Sequence, residues 1–153
     1  METSACPDFA GTLARHGLHL LRGETRTLQV NVGYRCDLAC RHCHLAAGPQ
    51  RREVMSRATM DDVIAYAQRA GFRVADVTGG APELAPDLDY LLTGLARAVP
   101  QVMLRTNLTA LADDRQGHLL ELCRQLRVIL VASFPAVTAA QVEWRLNGTM
   151  SVT

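Results

Sequence analysis

Thr27-Leu28-Gln29-Val30-Asn31-Val32-Gly33-Tyr34-Arg35-Cys36-Asp37-Leu38-Ala39-Cys40-Arg41-His42-Cys43 decides the reading of this chain. Its first six residues alternate apolar and polar positions, are rich in β-formers and end at Gly33-Tyr34, so the pattern predicts a strand. At its C-terminal end that strand delivers Cys36, Cys40 and Cys43. A structural zinc site is usually closed by four protein ligands, and iron–sulfur clusters are commonly held by four cysteines. Three thiols leave one position of a metal centre open, and an open position is where a substrate or cofactor coordinates. The other reading of the same residues is a zinc knuckle of three cysteines and one histidine, closed by His42 or His44, or else by the distant Cys123.

Upstream, residues 1–26 carry a weak helical pattern in Phe9, Leu13 and Leu20, interrupted by Gly11, Gly17 and Gly23. They read as a lead-in segment to one core domain spanning 27–153, and His16 and His19 in it read as surface residues. Downstream, residues 44–57 are irregular, and Arg51, Arg52 and Arg57 read as a solvated connection. Thr59-Met60-Asp61-Asp62 is a capping pattern opening a helix with Met60, Val63, Ile64, Ala67 and Ala70 on one stripe, stopped by Gly71. Phe72 to Val77 reads as a second strand that runs into Thr78-Gly79-Gly80-Ala81-Pro82-Glu83, where paired glycines let the backbone approach a ligand. Pro86 opens a helix carrying Leu88, Leu91, Leu92, Leu95 and Val99. Val102 to Thr106 is the third strand, with Asn107 at its tip. Leu119, Leu122, Cys123 and Leu126 recur at helical spacing, so Cys123 reads as a buried apolar residue. Val128 to Phe134 is the fourth strand, followed by Pro135 and a capped segment, Thr138 to Gln141, leading to Trp144.

Strands alternating with helices make βαβ units in a parallel sheet, an α/β fold whose ligands collect at the carboxyl ends of the strands. The cysteine loop, Gly79-Gly80, Asn107 and Ser133 all fall at such ends, so one rim gathers them. At 153 residues the chain is one domain able to bury about 70% of its unfolded surface. Lys and Arg number 16 against 15 Asp and Glu, which leaves no electrostatic footprint of nucleic-acid or anionic-membrane binding. The longest apolar run, Val128 to Ala132, is far short of a bilayer span. Five cysteines, three of them in one loop, suit a metal in a reducing, cytoplasmic setting better than a disulfide framework.

The C-x3-C-x2-C spacing after a strand resembles the cluster loop of radical SAM enzymes. The resemblance implies a partial (β/α) barrel, here truncated to about four βα units, with a [4Fe-4S] cluster on Cys36, Cys40 and Cys43. It also implies S-adenosylmethionine on the fourth iron, cleaved reductively to a 5′-deoxyadenosyl radical, with an electron donor such as flavodoxin or ferredoxin. By the same resemblance Gly79 and Gly80 bind the cofactor's amine, His42 lies near the adenine, Ser133 reaches the carboxylate or ribose, and Glu83 and Asn107 complete the cofactor set. Glu83 stands two residues later than the Glu that often follows the two glycines in the superfamily.

More narrowly, Leu28 to Cys36, Cys40-Arg41-His42-Cys43-His44, Gly48-Pro49, Thr78 to Leu84 and Asn107-Leu108-Thr109 are similar to the arsenosugar biosynthesis radical SAM family. That family is implied to transfer the 5′-deoxyadenosyl group to a methylated trivalent arsenic substrate. The chain departs from it at Pro135-Ala136-Val137, where the family usually has a cysteine. The sequence ends after four strands, so Val128 to Val131 is expected as an exposed apolar edge, open to a second chain that completes the barrel. The rival expectations are a zinc-stabilised interaction module and a catalytically dead remnant.

Overall fold

Four strands lie side by side in chain order and all run parallel: β1 (Thr27–Asn31), β2 (Val74–Thr78), β3 (Gln101–Thr106) and β4 (Ile129–Ala132). The computed structural model describes residues 8–21, 23–41, 43–112 and 117–133. Helix α1 (Phe9–Arg15) precedes the sheet, and α2 (Arg57–Ala70), α3 (Leu88–Ala98) and α4 (Gly117–Leu126) return the chain from each strand to the next. Each strand pairs with its predecessor, so the sheet grows in one direction as the wall of a β/α barrel does.

Period-two alternation divides the sheet into two faces. Val30, Ala75, Val77, Val102 and Leu104 are buried in one core with Met60 and Ala67 of α2, Leu91, Leu92 and Leu95 of α3, and Leu119 and Cys123 of α4. The other face carries Gln29 and Asp76, in register on β1 and β2, and Arg105. Asp76 is 5% exposed. Its carboxylate accepts Arg105 Nε and Nη2, each at 2.9 Å, and Gln29 Nε2 at 3.1 Å. A buried carboxylate is tolerated there because three donors meet it.

Several boundaries differ from the sequence reading. Helix α2 is capped by Ser56, whose extended backbone puts its hydroxyl over the first turn to accept the Thr59 N–H at 3.2 Å. Thr59 therefore lies inside the helix. Gly71 closes it in the left-handed region, φ 67°, as expected. A 3-10 turn, Pro82–Leu84, precedes α3, which starts at Leu88. Arg57 is exposed, as read, but also partnered: it pairs with Asp87 at 3.1 Å and lies 3.6 Å over the Tyr90 ring, while the Tyr90 hydroxyl bonds Asp61. This clamp ties α2 to α3.

Strand β4 is shorter than the reading and exposes Ile129 and Leu130 by 47% and 37%. Helix α1 buries no residue, and His16 and His19 are exposed. Cys6, His42, Phe134 and the capped segment leading to Trp144 lie outside the described residues. Among the described residues no helix is long and apolar enough to cross a membrane.

Candidate functional site

The cysteine loop is gripped on both sides before its first thiol. Hydrogen bonding between β1 and β2 continues past both strands through Val32 N–H to Thr78 O at 2.9 Å, Gly80 N–H to Gly33 O at 3.0 Å and Ala81 N–H to Arg35 O at 2.9 Å. On the opposite side Tyr34 N–H reaches Glu53 O at 3.0 Å, Cys36 N–H reaches Gly48 O at 3.2 Å and Met55 N–H reaches Val32 O at 2.8 Å. Gly33 has φ +146°, and a Cβ there would stand 2.3 Å from Glu53 O. At Gly80 a Cβ would stand 2.3 Å from Arg35 O and 3.0 Å from Cys36 Cβ. The backbone approach that the glycine pair permits is thus first of all to the cysteine loop itself.

Arg51 locks the far limb of this arrangement. Its Nη2 meets Glu53 at 2.8 Å, its Nη1 donates to Ala46 O at 2.9 Å, and its guanidinium lies 4.7 Å over Tyr34. Hydrogen bonding from Arg51 holds the Glu53 carboxyl down at about 2. Of the three arginines read as solvated, two are tethers.

Cys36 is buried and Cys40 and Cys43 are half-buried, and none of the three is joined in a disulfide among the described residues. The Cys36 sulfur accepts the Leu38 N–H at 3.4 Å and faces Asn107 Nδ2 at 3.7 Å. Burial pushes its thiol up to about 11, opposed by the Leu38 N–H and reinforced by the Asp37 charge. Asn107 also donates to Asp37 Oδ1 at 2.8 Å, and its own oxygen accepts Thr109 N–H at 3.0 Å and Thr109 Oγ1 at 2.7 Å. The tip of β3 is therefore fastened to the cysteine loop. Ala47 and Ala81 are buried against Cys36, with Leu38, Leu45, Leu84 and Cys43 packed around them, which keeps the thiols' side of the loop apolar. Among the described residues no three His, Cys, Asp or Glu side chains are gathered for a single metal ion. Cys123 lies instead in the helix core, where burial raises its thiol to about 11.

Glu83, in the 3-10 turn, is 5% exposed, and neither carboxylate oxygen has a hydrogen-bond partner. Burial raises its carboxyl above the ordinary range, with Asp37 adding to the shift and the neighbouring Thr106 side chain opposing it. The structure thus brings Gly79, Gly80 and Asn107 to the Cys36 limb of the loop. Ser133 stands exposed at the end of β4, its N–H on Thr106 O at 2.8 Å, one strand further along the rim. Sequence reasoning missed Asp37 as the anchor of Asn107 and missed the Gln29, Asp76 and Arg105 cluster. Polar residues interrupting the strands hinted at a non-core face, but which of them meet depends on register, which the sequence pattern does not carry.

Comparisons with known proteins agree with this geometry. The structure superposes on Streptococcus suis SuiB bound to S-adenosylmethionine with a TM-score of 0.65 at 18% identity, covering 90% of this chain and 31% of that one. BtrN in complex with AdoMet and 2-DOIA gives a TM-score of 0.56 at 15% identity, over 86% of this chain and 54% of that one. In sequence, the chain is 32% identical over 90 residues to a probable GTP 3',8-cyclase of Methanopyrus kandleri, covering 59% of this chain and 29% of that protein. The chain therefore spans under a third of that relative and of SuiB. The family model of the radical SAM superfamily matches residues 30–133, from β1 through the cysteine loop to the end of β4, and the chain belongs to that superfamily.

Proposed function

We propose that Cys36, Cys40 and Cys43 hold the family's [4Fe-4S] cluster and that the rim around them binds S-adenosylmethionine. The observation that carries this is an all-thiol donor set gripped at the carboxyl end of β1, beside a glycine turn and an unpartnered buried carboxylate. The donor set fits the group: thiolates are the usual cluster ligands. The Leu38 N–H and the Asn107 amide both point at the Cys36 sulfur, where such donors tune a cluster's potential. When bound, this pair of cofactors supplies reductive cleavage of a sulfonium bond to give a 5′-deoxyadenosyl radical.

The chain's own residues hold and orient. Glu83 presents two oxygens without a hydrogen-bond partner that would accept an ammonium group, and Gly79 and Gly80 precede it in the same turn. Ser133 offers a hydroxyl toward the carboxylate or ribose, and His42 flanks the adenine. Residues 27–153 act as one core domain behind a lead-in of 1–26, consistent with an α1 that buries nothing. The substrate is a small molecule. The likeness of Thr78 to Leu84 and Asn107 to Thr109 to the arsenosugar family favours a methylated trivalent arsenic compound. A flavodoxin or ferredoxin supplies electrons in a cytoplasmic setting, and further strands beyond β4, from this chain or another, close the barrel.

Anaerobic reconstitution with iron and sulfide tests the reading. It expects about four irons per chain and an electron paramagnetic resonance signal that shifts when S-adenosylmethionine is added. Cys36→Ala, Cys40→Ala and Cys43→Ala should each abolish that signal. One zinc per chain without sulfide would make the protein the zinc module instead, and a cluster whose signal ignores the cofactor would make it the inactive remnant.

A further inference from the structure

We propose that Asp37 and Asn107 are an opposed pair that sets the reduction potential of the cluster, the Asp37 carboxylate lowering it and the Asn107 amide raising it. The inference rests on the cluster reading above. Both act through Cys36 rather than on a reacting atom, so both are positioning residues.

The orientation of the Asn107 amide is fixed by its own network. Its oxygen accepts the Thr109 N–H at 3.0 Å and the Thr109 hydroxyl at 2.7 Å, which makes that end the acceptor. The other end is therefore Nδ2, which stands 2.8 Å from Asp37 Oδ1 and 3.7 Å from the Cys36 sulfur. A side-chain amide carries two N–H groups, one for each of these acceptors. Every polar capacity of Asn107 is spent, on the tip of β3 and on a loop 70 residues earlier. Asp37 Oδ1 itself lies 3.7 Å from the same sulfur. Carboxylate, amide and sulfur thus form one close triangle on the first ligand of the loop.

The two groups pull the sulfur's electronics in opposite directions. Reduction adds a negative charge to an iron–sulfur centre and its thiolates, so a fixed anion nearby opposes it and an N–H donor on a ligating sulfur favours it. Asp37 is exposed, which screens its charge, yet that charge reaches inward far enough to add to the upward shift of the buried Glu83 carboxyl. Asn107 counters it twice. One N–H is directed at the sulfur, and the other draws charge from the carboxylate oxygen that faces it. A low potential suits a centre that must reduce a sulfonium, and the amide limits how low it falls. A bond that only fastened β3 to the loop would be served as well by a neutral side chain at position 37 and would leave the potential unmoved.

The test is redox titration of the reconstituted protein, followed by electron paramagnetic resonance of the reduced cluster, for wild type, Asp37→Asn and Asn107→Leu. Asp37→Asn keeps an oxygen for the Asn107 N–H and removes the charge. Its ratio of reduced to oxidised cluster at a fixed poise should rise about threefold or more. Asn107→Leu keeps the volume and removes the donor, and its ratio should fall about threefold or more. Iron and sulfide content should match wild type in both. If Asn107→Leu loads no cluster, Asn107→Asp takes its place with the same expected fall, since it keeps the oxygen that Thr109 holds and loses the donor. A loaded Asp37→Asn protein whose ratio does not rise, or a loaded Asn107 variant whose ratio does not fall, overturns the inference alone. So does a loaded wild type beside an Asp37→Asn protein, or a pair of Asn107 variants, that cannot take up the cluster, because the residue then serves assembly and not potential. A wild type that takes up no cluster overturns the reading beneath it as well.

Discussion

Glu83 shows how far a single residue can be taken. A carboxylate with 5% exposure and two unpartnered oxygens is costly in its charged form, and burial accordingly raises its carboxyl. The folded protein then holds this proton to higher pH than the unfolded chain, in which a glutamate titrates near about 4.3. The associated stability is complete below that pH and is lost as pH rises through the folded-state value. Without cofactor, Glu83→Gln should therefore be more stable than wild type at pH 7 and should flatten the fall in stability above the acid range. With reconstituted protein the same variant should bind S-adenosylmethionine about tenfold more weakly, because a charge-assisted contact to the ammonium is gone. Urea denaturation against pH, paired with calorimetry, checks both. An apoprotein destabilised at pH 7 by the substitution would mean that the carboxylate has a stabilising role inside the fold.

Among the elements, β2 and β3 are joined by more than their backbone ladder. Arg105 and Asp76 meet on the face turned away from the helices, with side chains 43% and 7% exposed. Removing one member of a buried pair typically costs 3–5 kcal/mol, but an arginine this open to water warrants a discount, so Arg105→Met should cost about 1–3 kcal/mol. Asp76→Leu combined with Arg105→Met should recover most of that loss, which a double-mutant cycle in urea measures. A single variant within about 0.5 kcal/mol of wild type would show that the pair does not support the sheet. This cluster also marks where the sequence was hard to read. Alternation placed the first strand, short apolar runs placed the later ones, and the Met60 and Leu88 stripes placed their helices, because burial leaves a trace in the order of apolar residues. Asp76 and Arg105 become meaningful only once register sets them on neighbouring strands, and a strand pattern carries no register. The Ser56 cap and the 3-10 turn at Pro82 were missed for a local reason: several hydroxyl and proline positions competed, and only packing chose among them.

At the scale of the molecule, the same separation holds between what local pattern encodes and what assembly decides. Three cysteines at fixed spacing are a local signal, and their loop was legible at once. That Gly80 serves the loop's own backbone, and that Asn107 reaches across 70 residues to Asp37, are facts of tertiary approach. Among the described residues β4 is the last strand of the sheet, and a strand paired on one side only leaves unpaired backbone groups. Ile129 is exposed and, among the described residues, paired on one side only, with Met103. A lysine on an edge strand opposes pairing with another chain by charge and desolvation. In sedimentation velocity, the protein should show association that grows with concentration, and Ile129→Lys should return it to the monomer without lowering its unfolding midpoint by more than a few degrees. If the variant and the parent sediment alike over the whole range, the β4 edge is already covered in solution.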